Sequence, residues 1–404
     1  MPSSTSSFEV LLERPARHAP PPGLRLTASD RPGVAQPVPE RDIPDQPWRA
    51  ISLAVLIIVA ALTGAWEWHA RTLGLRAGDL GDGPSAWAEQ RRRADVEPNP
   101  VVLVGDSRIL FDTNLDRFQA LTGVRPIQLA LPGTNGRPFL ENLADDPKFK
   151  GLVIVGMAEI SYFRPSVGLM KTALDRGRYE SPSQRGSFLI KRELERRIAF
   201  LDQEYGLSTL IARLDPGLRP GADDNPYDDV WKISESFDGR QTALWPRIEQ
   251  DAYLRLHARH AWDGFSGKVI TKQIIAMTQA RTRAAVNKIR ARGGDVMFVR
   301  PPSALPIRTN EEKRLPRAVG WDALLKAVNA KGVHIDDLPM AQRLTVPEFS
   351  HLNGACAVVF TDAYVRRLTE LTPRLKLRAD APPPLSTPDC MPGSTTVHGP
   401  EPRP

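Results

Sequence analysis

Cysteine, histidine and blocks of a single charge are all scarce in this 404-residue chain, and each scarcity removes a class of function. Two cysteines provide neither the spacing of a zinc site nor a disulfide framework. Cys356, on an apolar helix face, reads as a buried thiol, and Cys390 falls in the C-terminal tail. With seven histidines in the chain, any one taken alone reads as a structural residue. The net charge of +7 and pI near 9.5 come from scattered arginines, not from a lysine-rich block with interleaved aromatics, which argues against nucleic-acid binding. Asp223, Asp224, Asp228 and Asp229 cluster without the spacing of a calcium-binding EF-hand and read as a solvated loop. Nothing in the sequence calls for a metal or a cofactor.

Long hydrophobic runs are limited to a 17-residue stretch without charge, Ala50 to Trp66, flanked by Trp48, Arg49 and Trp68. That is the short end of the spanning range, and the tryptophans suit the two bilayer interfaces. A buried core helix and a cleaved leader are the competing readings, the latter because Thr63-Gly64-Ala65 loosely resembles a cleavage site. The 49 preceding residues exceed an ordinary leader, so residues 49–68 are expected to form an uncleaved single-pass anchor. Residues 1–48 carry ten prolines and are expected to be disordered, as is the proline-rich tail at 373–404. Residues 69–98 read as a linker and a short helix, Ala86 to Ala94, capped by Ser85 and carrying Arg91, Arg92 and Arg93 on a solvated face.

From residue 99 the pattern is that of an α/β domain reaching to 372: a doubly wound parallel sheet of about five strands. The expected strands are 101–104, 127–131, 152–155, 296–299 and 332–335, with helical patterns between them. The alternation stops over about 164–267, which reads as a helical insertion. There Ser187 opens an amphipathic helix with Ile190, Leu194, Ile198 and Leu201 inward. A long helix, Lys268 to Arg292, is expected to bury Ile270, Ile274, Met277 and Ala284; the last helix turns Leu352, Cys356, Val359 and Ala363 inward.

Chemistry enters where strand 101–104 meets Gly105-Asp106-Ser107. A hydroxyl at the carboxyl end of a parallel strand faces the ligand crevice, and a serine there can act as a nucleophile if a base activates it. His351 and Glu348, in Glu-x-x-His just before the last helix, supply a base and an acid to orient it. Asp336 and Asp337 are alternative acids.

Together these residues resemble the SGNH, or GDSL-type, hydrolase superfamily. Its first block looks like Val104 to Ser107, its second has a glycine that Gly133 matches, and its last resembles Glu348 to His351. The resemblance covers roughly 99–165 and 268–372. It implies Ser107 as nucleophile, His351 as general base, Glu348 as its orienting acid, and the backbone N–H groups of Ser107 and Gly133 as the oxyanion hole. Two departures stand out. Glutamate replaces the usual aspartate, and the third block, normally Gly-x-Asn-Asp, reads Gly156-Met157-Ala158-Glu159, so the asparagine donor is an alanine. Losing such a donor typically costs about a hundred- to a thousandfold in rate; Asn135 is the candidate substitute.

Membrane-anchored bacterial members similar to this layout work in polysaccharide O-acetylation. The expected function is therefore a serine acyl-ester hydrolase or O-acyltransferase acting on an exported, acylated glycan, beside a membrane-bound O-acyltransferase partner. Its domain would lie in the periplasm, anchored in the inner membrane. The alternatives are a general esterase or lipase on small or lipid esters, and a catalytically weak glycan-binding or scaffold domain.

Overall fold

β-Branched and leucine residues at Val101–Val104 and Leu152–Gly156 are buried throughout, as strands covered on both faces require. In the computed structural model they form the centre of a sheet. The structure describes residues 46–165, 168–206, 209–211, 232–262, 270–340, 343–394, 396–397 and 399–400. The aspartates at 223–229 and the proline-rich residues 1–45 lie outside the described residues.

The chain divides into two units, residues 1–62 and 63–404. Helix α1, Trp48–Thr72, begins in the first; it is long and apolar enough to cross a membrane, by length and composition, and its Leu53, Leu56, Ile57 and Leu62 are exposed. In the second unit, α2 (Pro84–Val96) precedes β1 (Val101–Val104), α3 (Ser107–Phe111), α4 (Leu115–Thr122), β2 (Ile127–Gln128), α5 (Arg137–Asp145), β3 (Leu152–Gly156) and α6 (Glu159–Tyr162). Next come α7 (Gly168–Tyr179), α8 (Pro182–Glu195), the hairpin β4 (Ser234–Phe237) and β5 (Gln241–Leu244), α9 (Pro246–Gln250) and α10 (Ala252–His260). The chain closes with α11 (Lys272–Ala291), β6 (Asp295–Arg300), α12 (Ile307–Arg314), α13 (Ala323–Val328), β7 (Lys331–His334) and α14 (Gly354–Leu371).

The main sheet has the order β2-β1-β3-β6-β7, all parallel, with Val102 opposite Ile127 and Val153, and Ile154 opposite Met297. Val101 and Leu103 point into one core with Ile154, Met297 and Val299 under α4 and α14. Val102 and Val104 point into the other with Val153, Val155 and Phe298 under α5, α11 and α13. In this order the connections diverge on either side of β1 and β3, which opens a crevice at their carboxyl ends. Ser107 follows β1 and Ala158 follows β3.

All five expected sheet strands are present, within a residue or so except at β2, and the parallel α/β class with them. Six local expectations are corrected. The insertion is not purely helical: it contains the β4–β5 hairpin, whose buried Glu235, Ser236, Gln241 and Thr242 hide it from a hydropathy reading. Its buried polar side chains are paired: Ser236 Oγ lies 2.7 Å from Thr242 Oγ1, Glu235 pairs with Arg76 (2.5 Å), and Gln241 donates to Thr113 O (3.3 Å). Helix α8 starts at a Ser181–Gln184 capping box, not at Ser187, and ends at Glu195, so Ile198 and Leu201 are not on it. It buries Arg192 and Glu195 and leaves Ile190 and Leu194 exposed.

Helix α11 starts at Lys272, and its buried stripe is Thr278, Thr282, Ala285, Val286 and Ile289, with Met277 and Ala284 outside. The threonines belong inside because Thr278 receives Arg137 (3.1 Å) and Thr282 meets the Tyr162 hydroxyl (2.9 Å). Helix α2 begins at Pro84 after Gly83 as N-cap, and Arg91 and Arg92 are not merely solvated: Arg91 reaches Asp146 on the far side (2.9 Å) and Arg92 reaches Glu180 (2.7 Å).

The C-terminal tail is the fifth correction. Leu375 is buried, Arg378 N donates to Leu121 O (2.9 Å), and Arg117 donates to Pro383 O (2.8 Å). A proline-rich strand cannot pair its carbonyls internally; here arginines from α4 and α14 take them up. Cys390 in this tail is disulfide-bonded to Cys356 on α14, so Cys356 is not a buried thiol.

Candidate active site

Helix α3 begins two residues after Gly105, whose φ of +154° and close neighbours admit no side chain: a Cβ there would stand 2.7 Å from Gly156 O and 2.5 Å from Ile109 Cγ2. Asp106 caps the helix, its carboxylate accepting from Arg108 N at 3.1 Å, and burial pushes the Asp106 carboxyl above its ordinary range. Ser107 is thereby the first helical residue, partly exposed, with a backbone N–H that has no acceptor within the helix.

His351 reaches this serine from 244 residues away: its Nε2 lies 2.8 Å from Ser107 Oγ. On the other side of the ring, Nδ1 lies 2.8 Å from Glu348 Oε1, which also accepts the His351 backbone N–H at 2.6 Å. The imidazole can thus donate through Nδ1 to the carboxylate and accept through Nε2 from the hydroxyl. Both residues are almost wholly buried.

The loop is folded back on itself at Phe349, a non-glycine residue at φ +76°. It is held there by Ala304 N, which donates to Phe349 O (2.9 Å), and by Arg259, which stacks 4.6 Å over the Phe349 ring and donates to Pro347 O (2.9 Å). Asp112 accepts Leu352 N at 2.9 Å, and burial pushes its carboxyl well above the usual range. Asp336 and Asp337 are elsewhere: they pair with Arg308 and Arg317.

Sequence reasoning missed two features. Trp262, two residues past the end of α10, donates Nε1–H to Glu348 Oε2 at 2.6 Å, so both carboxylate oxygens are held. No motif signals it, because a residue in the unmatched insertion closes over the triad. The second is a buried ionic chain behind the nucleophile. Arg108 pairs with Glu311 (2.6 Å), Glu311 with Arg300 (2.7 Å), and Arg300 with Glu159 (3.2 Å), whose other oxygen lies 3.4 Å from His334 Nε2. Arg108 Nε also donates to Ser350 Oγ at 3.2 Å, joining α3 to the histidine loop. Burial alone would raise the Glu159 carboxyl; the Arg300 charge and His334 outweigh it and hold the pKa at about 2.

Ser107, Gly133, Asn135, Ala158, Ile160, Trp262 and Arg108 line one pocket of about 180 Å³. Gly133, at φ +69°, sits at its exposed rim. Asn135 is in the wall, but its side-chain amide donates to Arg164 O (2.9 Å) and Pro165 O (3.3 Å), fastening the loop after α6. Ala158 contributes a methyl group where the third block would offer a donor.

The resulting site has a hydroxyl, an imidazole and a carboxylate in hydrogen-bonding sequence beside a small pocket. It is arranged to deprotonate Ser107 during attack on an electrophile. Compared with protein-family models the chain matches none, and compared with curated proteins it has no significant match.

Proposed function

We propose that the protein is a membrane-anchored, SGNH-like serine acyl-ester hydrolase or O-acyltransferase acting on an exported glycan. The observation that carries this reading is the unbroken sequence Ser107 Oγ, His351, Glu348, with 2.8 Å at each step.

In the proposed reaction His351 Nε2 takes the Ser107 proton as Oγ bonds to the ester carbonyl carbon. The oxyanion forms against the N–H groups of Ser107 and Gly133. Collapse breaks the bond to the alcohol oxygen, which leaves with the proton from His351. Water or a sugar hydroxyl, deprotonated by His351, then takes the acyl group from Ser107. Glu348 holds the imidazole tautomer and stabilises its cation.

A pocket of about 180 Å³ supports a short acyl group such as acetyl over a lipid chain, since pockets for drug-sized ligands are about 300 Å³ or larger. The Cys356–Cys390 disulfide and the apolar helix α1 both support a periplasmic domain on an inner-membrane anchor, because disulfides persist in oxidising compartments. A membrane-bound O-acyltransferase would be the partner that delivers acyl groups to such a protein.

The test is labelling of the full chain by a fluorophosphonate probe, together with release of acetate from an acetylated polysaccharide. Labelling abolished by Ser107→Ala and strongly reduced by His351→Ala is expected. A wild type that is neither labelled nor faster than Ser107→Ala would favour the second reading, a glycan-binding domain, for which Ala158 is the motivating observation.

A further inference from the structure

Helix α8 turns the wrong side outward for a helix packed on a soluble body. Its buried side chains are Arg192, stacked 5.3 Å over Phe188, and Glu195, while Leu189, Ile190 and Leu194 are 50%, 66% and 45% exposed. Residues 190 and 194 are one turn apart with 189 beside them, so the three make one patch. Contiguous exposed apolar surface of this kind marks a contact surface.

What lies next to it follows from chain connectivity. The apolar stretch of α1 ends at Trp66, and the next residue, Glu67, accepts the backbone N–H groups of Ala199 and Phe200, each at 3.1 Å. Ala199 is four residues past the end of α8, at most about 14 Å of chain. The linker after α1 is fastened to the same turn: Gly78 N donates to Glu195 O (2.9 Å) and Gly81 N to the Glu195 carboxylate (3.2 Å). Whatever surface α1 emerges from at Trp66 is therefore within reach of α8.

Charge points the same way. Besides the buried Arg192, residues 182–197 carry four exposed basic side chains, Arg185, Lys191, Arg196 and Arg197, of which Lys191 pairs with Glu195 (3.3 Å) and Arg196 with Asp238 (2.6 Å). Glu193 is shared by Arg196 (3.2 Å) and Arg197 (2.5 Å). Leucine and isoleucine flanked by arginine and lysine suit a helix lying in the headgroup layer of an anionic bilayer.

We propose that α8 rests on the bilayer that α1 crosses, inserting Leu189, Ile190 and Leu194 among the lipids and setting its exposed basic side chains on anionic headgroups. This rests on the reading of α1 as a membrane span. The contact makes the domain's attachment two-legged, so the body is held against the membrane.

The full chain reconstituted in vesicles of phosphatidylcholine and phosphatidylglycerol carrying a shallow spin-labelled lipid tests this. Cys356 and Cys390 are paired, so Ile190→Cys and Leu194→Cys each give a single thiol for an environment-sensitive dye, with exposed Met277→Cys on α11 as reference. Dyes at 190 and 194 are expected to lose about half of their emission while the dye at 277 is unchanged, the spin label lying at the depth such helices reach. The loss should shrink in vesicles of phosphatidylcholine alone. The same loss for a dye at Leu189→Cys should fall when Ile190→Glu and Leu194→Glu are added, two exposed changes that leave the circular dichroism unaltered.

Retention of the chain by carbonate-washed vesicles reports on α1 separately. A chain released by carbonate removes the span reading. A retained chain whose dyes at 190 and 194 are quenched no more than the dye at 277 overturns the α8 proposal alone. Shielding seen in native membranes but not in vesicles would assign the face to a protein partner and overturn it too.

Discussion

At the scale of single residues, Ala158 puts a methyl group in the pocket wall, so in the proposed reaction any oxyanion donor beyond the backbone N–H groups of Ser107 and Gly133 must come from another side chain. Asn135 has its amide bonded to the Arg164 and Pro165 carbonyls. Asn135→Ala should therefore lower kcat on an activated acyl ester far less than the hundredfold or more expected of a true oxyanion donor, and should instead lower the thermal midpoint by loosening the 164–165 loop. Ala158→Asn, which places an amide at the third-block position, should raise kcat about tenfold with little change in KM.

In the proposed reaction Trp262 would act through Glu348, whose Oε2 accepts its Nε1–H. Replacing it by phenylalanine keeps the ring and removes the N–H at 2.6 Å, so kcat should fall about tenfold with KM nearly constant, measured beside Glu348→Gln as the limiting case. Equal kcat values for Trp262→Phe and wild type would show that one held oxygen of Glu348 suffices.

Elements are joined here by covalent and ionic ties as well as by the apolar cores on the two faces of the sheet. The disulfide closes a loop spanning 34 residues between α14 and the tail. By the chain-entropy model such a loop contributes about 3–4 kcal/mol, and Cys390→Ser should lower unfolding free energy by roughly that amount in denaturant titrations. Leu375 and the Arg117 and Arg378 hydrogen bonds hold the near part of the tail independently, so proteolysis should trim the variant beyond about residue 386 first and spare 373–381.

Across the whole molecule, the buried chain of Arg108, Glu311, Arg300, Glu159 and His334 connects α3, α12, β6, α6 and the end of β7, and hence both sides of the crevice. Glu159 titrates at about 2 in the folded protein and near 4.5 when unfolded. A carboxylate whose pKa is lowered by folding stabilises the native state above its unfolded pKa and loses that contribution as pH falls through the folded one. Between pH 4.5 and about 2 this residue should therefore remove up to about 3 kcal/mol. Unfolding free energy measured across that interval should fall less steeply in Glu159→Gln than in wild type. An identical slope would mean that another group dominates acid unfolding.

Much of this protein is determined by sequence alone, and the reason is local. The strands of the parallel sheet are short buried runs that strand propensity and hydrophobicity mark together, and Gly-Asp-Ser at the end of the first and Glu-x-x-His before the last helix mark the site by position. The same local logic fails wherever burial is polar. Glu235 and Gln241 in a buried hairpin, Thr278 and Thr282 on a core face, and Arg192 and Glu195 under α8 are inside because partners from distant segments satisfy them, and distance in sequence hides those partners. The proline-rich tail and Cys390 are similar: composition reads as disorder, whereas docking on α4 and α14 orders them. Tertiary structure also decided what no spacing rule encodes, that His351 stands 2.8 Å from Ser107 and that Trp262 closes on Glu348, because hydrogen-bond geometry is set by how the sheet, loop and insertion pack together.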